Sequence, residues 1–230
     1  MSTVLVTGAG RGIGLATAHR FLKAGHRVLA LDKDFSACDL PEAAKRIAFD
    51  LENLEKIPDL VSGMGDIHVL VNNAGTLYCH PHDAFPAAHA LEILTVNLRA
   101  PVALIEAVAP QMRSRKSGRI VNVASVAAFT GHPDLWYGAT KAALVNITKS
   151  YAGYLGADGV LVNAVAPGPT QTRMYEQLPQ SRKDAVMRSV YSGRPCKPEE
   201  VAQTILWLGT DSPAFLSGAT IDINNGSYPR

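Results

Sequence analysis

The chain has 230 residues, 47% of them hydrophobic, with 22 lysines and arginines against 20 acids and a formal net charge of +2. That length buries a full α/β core without disulfides or metals, so one domain is expected, and the absence of a basic stripe with interleaved aromatics excludes nucleic acid as the expected partner. No apolar run approaches membrane-spanning length, no charged leader precedes the first strand pattern, and Cys38, Cys79 and Cys196 are scattered and odd in number. These features lead us to expect a cytoplasmic protein with a small-molecule partner.

Residues 4–7 form a β-branched run, followed directly by Thr7-Gly8-Ala9-Gly10-Arg11-Gly12-Ile13-Gly14 and a helical pattern over 12–24. Strand, glycine turn and helix are the context of a phosphate-binding turn. Its glycines let the backbone approach a pyrophosphate while the N–H groups and dipole of the helix receive the negative charge. Ile13 breaks the strict G-x-G-x-x-G pattern, leaving glycines at 8, 12 and 14; a flexible strand-to-helix turn is the alternative. A second strand, 27–31, ends at Asp32, 18 residues beyond Gly14. A carboxylate there accepts both hydroxyls of an adenosine ribose and repels a 2′-phosphate. Arg11 and Lys33 stand where cations attract that phosphate, so NADP is also conceivable. Setting a phosphate against an unpaired carboxylate costs a few kcal/mol, which favours NAD.

Asp50 closes the run 47–49 and reads as an N-cap for the next helix. Strand 69–72 leads into Asn72-Asn73-Ala74-Gly75, on its own a plain turn. Cys79-His80-Pro81-His82-Asp83 offers metal-capable side chains, but neighbours around a proline do not converge tetrahedrally, and no metal is expected. In the helical pattern 91–113, Asn97 is a poor helix former and marks a break or a special local role. Ser125 follows strand 119–123 and emerges at the sheet's carboxyl edge, where ligands of open α/β sheets bind. His132 and Trp136 come after it, then a helix over 137–155, a strand over 160–165 and Pro167-Gly168-Pro169-Thr170-Gln171-Thr172. The polar segment 172–195 reads as a substrate lid or as an ordinary surface helix and loop. Its nearness to the cofactor motifs favours the lid. A helix over 198–208 opens with Pro198, Glu199 and Glu200, and a last strand covers 220–223. The alternation predicts a single α/β domain, a Rossmann-type doubly wound parallel sheet.

Tyr137 and Lys141 stand four residues apart on a helix and hence on one face. A phenol titrates near pH 10, but a cation about 4 Å away at an effective dielectric near 20 is worth about 4 kcal/mol, enough to make it a usable acid/base. The spacing alone is weak evidence, since such pairs are common on solvated helices.

Taken in order, Thr7-Gly8-x-x-x-Gly12-x-Gly14, Asn72-Asn73-Ala74-Gly75, Asn97, Ser125 and Tyr137-x-x-x-Lys141 resemble the short-chain dehydrogenase/reductase family, over nearly the whole chain. The resemblance implies catalytic roles for Asn97, Ser125, Tyr137 and Lys141. Tyr137 moves the proton, Lys141 lowers its pKa and bonds the nicotinamide ribose, Ser125 polarises the substrate oxygen, and Asn97 holds a relay water. It further implies cofactor contacts at Gly8, Arg11, Gly12, Ile13, Gly14, Asp32, Asp50, Leu51, Asn73, Ala74, Gly75, Pro167, Gly168, Thr170 and Thr172. A homotetramer through the long helices is implied too. Thr170 stands where the family usually has an aliphatic residue, Asn224-Asn225-Gly226 replaces Asp-Gly-Gly, and the stretch from Asp32 to Asp50 is short. The expected activity is NAD-dependent interconversion of a secondary alcohol, a cyclic alcohol or dihydrodiol among the candidates, and a ketone. An NADPH-dependent 3-oxoacyl thioester reductase is the alternative, and a non-catalytic NAD-binding sensor or scaffold is a third reading.

Overall fold

The computed structural model describes residues 1–36 and 38–230. Seven strands form one parallel sheet: β1 (Thr3–Thr7), β2 (Arg27–Asp32), β3 (Lys45–Ala48), β4 (Val69–Asn72), β5 (Gly118–Val123), β6 (Val160–Pro167) and β7 (Thr220–Ile223). Their order is β3-β2-β1-β4-β5-β6-β7, so the direction of winding reverses between β1 and β4. Every pairing is parallel, with Val4 beside both Val28 and Val69.

Strand alternation divides the core. Leu5, Leu29, Leu31, Leu70 and Ile120 face one side, where they meet Ile57 and Val61 of α2 (Ile57–Ser62) and Leu104, Ile105, Val108 and Met112 of α4 (Ala100–Ser114). Val4, Val6, Val28, Ala30, Val69, Val71 and Val121 face the other, against Phe21 of α1 (Gly12–Lys23) and Val201, Ile205 and Leu208 of α8 (Pro198–Gly209). The central strands therefore read as unbroken apolar runs, as expected for a sheet covered on both faces. The third strand was legible only as the run before Asp50, because its residues are largely exposed at the sheet edge.

The helix expected over 91–113 begins earlier, as α3 (Ala87–Leu94), passes through a π turn at Thr95–Arg99, and continues as α4. Asn97 sits in that turn, so its local role is a widened helix rather than a break. The segment 172–195 contains α6 (Arg173–Glu176) and α7 (Gln180–Met187). Its downstream end is fastened by Asn225, whose carbonyl accepts from Tyr191 N and whose Oδ1 accepts from Ser192 N. No helix among the described residues is long and apolar enough to cross a membrane.

A buried polar ladder ties α5 (Leu135–Gly156) to the sheet. Asn72 Nδ2 donates to Asn122 Oδ1 at 2.9 Å, Asn122 Nδ2 donates to Thr148 Oγ1 at 2.9 Å, and Thr148 Oγ1 donates to the Leu144 carbonyl at 2.8 Å. Removing the middle rung strands two buried partners. Asn122→Ala is therefore expected to cost about 1–3 kcal/mol in urea unfolding; a loss under about 0.5 kcal/mol would show that the ladder does not hold α5.

Candidate active site

The glycine turn sits where the winding reverses. Thr7 Oγ1 donates to the Val71 carbonyl and accepts from the amides of Asn73 and Ala74, both at 3.0 Å, while Asn73 Nδ2 donates to the carbonyls of Thr7 and Gly8. Gly8 and Gly12 adopt positive φ values of 66° and 55°. Gly14, expected to touch a cofactor, instead packs inside the turn: a Cβ there would lie 2.0 Å from the Gly8 carbonyl oxygen. It does not line the cleft. Gly10, to which the sequence alone assigned no role, is required as strictly, since a Cβ would stand 2.3 Å from the Asp34 carbonyl oxygen.

Asp32 ends β2 and is buried, with Oδ2 accepting from Gly10 N at 2.8 Å and Oδ1 accepting from Asp34 N at 3.1 Å. Arg11 pairs with Asp34 at 3.7 Å and so is partly engaged. Asp50 makes an Asx turn, accepting from Glu52 N at 3.0 Å. Leu51 borders the cleft while its side chain packs in the core. Opposite, Gly168 donates to the Ile223 carbonyl, Thr170 Oγ1 donates to the Gly168 carbonyl, and Thr172 caps α6 by accepting from Tyr175 N. The Thr170 backbone also forms an isolated parallel bridge with Cys196.

These groups and Gly8, Gly12, Ile13, Asn73, Ala74, Gly75 and Pro167 line one cleft of about 810 Å³, which Ser125, Tyr137 and Lys141 enter from the β5 side. Ser125 caps the short turn Val126–Ala128 by accepting from Ala127 N at 3.1 Å, so the capping role and the site position coincide. Asp134, which sequence reasoning missed, is buried at the N-cap of α5. Its Oδ1 accepts from Tyr137 N and its Oδ2 from Tyr78 N, both at 2.9 Å. The signal was present: an aspartate three residues before the tyrosine that opens a helical pattern.

The expected electrostatics are reversed in one respect. Burial raises the Tyr137 phenol above its usual value, the Ser125 hydroxyl pulls it down, and the Asp134 carboxylate raises it again. Lys141 lies over the same ring. Its Nζ donates to the Val123 carbonyl at 2.7 Å, 5.6 Å from the centre of the Tyr137 ring, and burial depresses the ammonium to about 8. The spacing placed the pair on one face, and burial pushes each toward its neutral form. Gly75 makes room for them: a Cβ there would lie 3.5 Å from Lys141 Nζ and 3.4 Å from Asn97 Oδ1.

Asn97 does not line the cleft. It is fully buried, with Oδ1 accepting from Thr76 N and Nδ2 donating to the Thr76 carbonyl and Thr140 Oγ1. Its side chain is spent on fixing the strand-end segment after β4. Four residues on, Pro101 has no N–H, so the Asn97 carbonyl lacks its α-helical donor. Of the histidine-rich segment, His80 bonds His89 at 2.7 Å, and no group of three or more His, Cys, Asp or Glu side chains among the described residues is placed to hold a metal.

The first turn of α1 supports a dinucleotide: its N-cap, Arg11, gives no side-chain bond to the free N–H groups, which face the cleft beside glycines bearing no Cβ. Comparison with known proteins agrees. Residues 2–183 match the family described as short chain dehydrogenase. The 3-oxoacyl-[acyl-carrier-protein] reductase FabG of Thermotoga maritima is 35% identical, covering 96% of both chains, and that of Vibrio cholerae is 32% identical over 97% of this chain and 96% of its own. Among solved structures, a 4-hydroxyisoleucine dehydrogenase complexed with NADH superposes with a TM-score of 0.93 at 27% identity, covering 99% of each chain. A Beutenbergia cavernae protein with bound NADP, provisionally named an NAD(P)-dependent gluconate 5-dehydrogenase, has a TM-score of 0.91 at 32% identity, covering 98% of this chain and 96% of its own. The chain belongs to the short-chain dehydrogenase/reductase family of oxidoreductases.

Proposed function

We propose that this chain is an NAD(H)-dependent oxidoreductase that interconverts a secondary alcohol and a ketone. The observation that carries it is the entry of Ser125, Tyr137 and Lys141 into the same cleft as the glycine turn and Asp32. Bound along that turn, a nicotinamide dinucleotide supplies the hydride acceptor or donor. Each carboxylate oxygen of Asp32 takes one backbone amide and keeps a lone pair for a ribose hydroxyl, and its charge opposes a 2′-phosphate. Arg11, partly neutralised by Asp34, is a weakened attraction for that phosphate.

The Ser125 lone pair is engaged by Ala127 N, which turns its O–H toward a substrate oxygen. Tyr137 exchanges the proton at its phenol oxygen. In oxidation it accepts from the substrate hydroxyl; in reduction it donates to the new alkoxide. Lys141 keeps positive charge beneath the reacting atoms and presents ammonium protons to a ribose. The Asn97 carbonyl, which has no i+4 donor at Pro101, is the group we assign to a relay water. The segment 172–195 acts as the substrate lid, the protein works as a homotetramer, and its home is the cytoplasm. Exposed Leu91 of α3 and Tyr154 of α5 support association through the long helices. Light scattering is expected to read a tetramer, and a monomer would count against it.

A second reading is favoured by the relatives named 3-oxoacyl-[acyl-carrier-protein] reductase: reduction of a 3-oxoacyl thioester with NADPH. A panel of secondary alcohols, dihydrodiols, ketones and 3-oxoacyl thioesters, followed by reduced-nicotinamide absorbance with both cofactors, separates the two. The proposal expects NAD to give the higher kcat/KM on alcohols; faster thioester reduction with NADPH would replace it, and affinity for NAD without turnover would favour a sensor. Tyr137→Phe is expected to retain NAD affinity while kcat falls about a hundredfold or more; near-normal kcat would remove Tyr137 from proton transfer.

Burial that depresses Lys141 from 10.5 to about 8 costs stability on the order of 3 kcal/mol while the lysine stays charged. The unfolded chain binds the extra proton between those values, so this cost fades as pH rises from about 8 toward 10.5. Lys141→Met is expected to unfold at a higher temperature than the parent at pH 7, with the gap narrowing above pH 8, and to lose turnover. Equal melting temperatures at pH 7 would show that the buried ammonium carries no penalty.

A further inference from the structure

The substrate end of the cleft holds a cation that the proton chemistry above does not use. Arg182, on α7, lines the cleft within the same lid as Arg173. Arg173 stands near Asp34, whose carboxyl it helps to lower, beside the glycine turn. Arg182 has no such partner: none of the ion pairs among the described residues includes it. Its Nη2 instead meets His132 Nε2 at 2.8 Å.

A guanidinium can only donate, so Nε2 accepts from Arg182, while Nδ1 meets both the Asp134 carbonyl at 3.1 Å and the Asp134 amide at 3.2 Å. Burial depresses the His132 imidazole and the Arg182 charge adds to that effect, while its bond to the Asp134 backbone opposes it. The ring is therefore a neutral prop that aims the guanidinium without cancelling its charge. The same ring lies 5.1 Å from the Tyr137 ring, so one imidazole separates the free cation from the proton-transferring phenol. The acid across the cleft, Glu92, is held by the Tyr78 phenol at 2.5 Å, and the acid beneath, Asp134, is filled by two backbone amides. Neither reaches Arg182.

Resting on the oxidoreductase reading, we propose that the substrate is a small hydroxy or oxo acid whose carboxylate binds Arg182 while its carbinol or carbonyl carbon lies at Tyr137. The planar fork of arginine suits a carboxylate bidentately. The short path through one ring fits a carboxylate a few bonds from the reacting carbon. A thioester's phosphate, at the far end of a pantetheine arm, is too remote. The overall step balances as hydroxy acid and NAD⁺ giving oxo acid, NADH and a proton.

The test uses full-length protein with NAD, and two matched pairs: 3-hydroxycyclohexanecarboxylate and its carboxamide, and 3-hydroxybutanoate and its amide. The wild type is expected to prefer each carboxylate by about tenfold or more in kcat/KM, chiefly through KM, as a charged hydrogen bond implies. Arg182→Met should compress that ratio to within about twofold, and Arg182→Lys should keep part of it, which also controls for misfolding. Equal use of acid and amide by the wild type, or a ratio that Arg182→Met leaves intact, would overturn the inference and leave the oxidoreductase reading standing. A further arm, run in the reductive direction with NADH and NADPH as hydride donors, compares 3-oxobutanoyl pantetheine with its 4′-phosphorylated form; a phosphate preference abolished by Arg182→Met would reassign Arg182 to the phosphate and overturn the carboxylate. No turnover of any alcohol or ketone with either cofactor would defeat the oxidoreductase reading and this inference with it.

Discussion

The site depends on how β1 and β4 are joined at their carboxyl ends. Parallel strands whose crossovers leave in opposite directions open a crevice between them, and something must hold that crevice at fixed width. Thr7 and Asn73 do so. One hydroxyl and one carboxamide link the last residue of β1, the first glycine of the turn and the segment after β4. Because the same segment continues through Gly75 to Thr76, whose amide Asn97 accepts, the glycine-turn end and the Tyr137 end of the cleft share one backbone.

The second constraint is desolvation. Tyr137 is half-buried in the cleft wall and Lys141 is buried behind it, and each is driven toward its neutral form. Such a pair is costly to keep and chemically useful, since groups held away from their preferred ionisation exchange protons readily. The structure spends hydrogen bonds on geometry here: Asp134 fixes the first turn of α5, and the ladder Asn72, Asn122, Thr148 fixes its middle.

Much of this was legible in the sequence. Apolar runs gave the central strands, and the glycine turn with the order Ser125, Tyr137 and Lys141 singled out residues that the fold brings to one cleft. What was not legible shares a physical cause, namely information carried by close approach in three dimensions. Gly10 and Gly14 look alike on paper, yet each is required by a different carbonyl. Asn97 reads as a break or a special local role, and sequence cannot choose between them because it does not show Thr76 and Thr140 beside its amide. The Tyr137 shift was misjudged because spacing fixes direction along a helix but says nothing of how deeply two groups are buried.

The π turn at Thr95–Arg99 has a consequence for how this fold tolerates change in length. It carries one residue more than the helical repeat needs, so α3 and α4 are two helices spliced out of phase. Deleting a single residue there would restore a regular repeat and rotate everything on one side of the cut by about 100°. Either Leu104, Ile105, Val108 and Met112 would swing out of the core, or Asn97 would turn away from Thr76. The surplus residue acts as a gauge block: its presence lets one helix satisfy the hydrophobic core and the cleft floor, which lie at incompatible angular settings on an ideal helix.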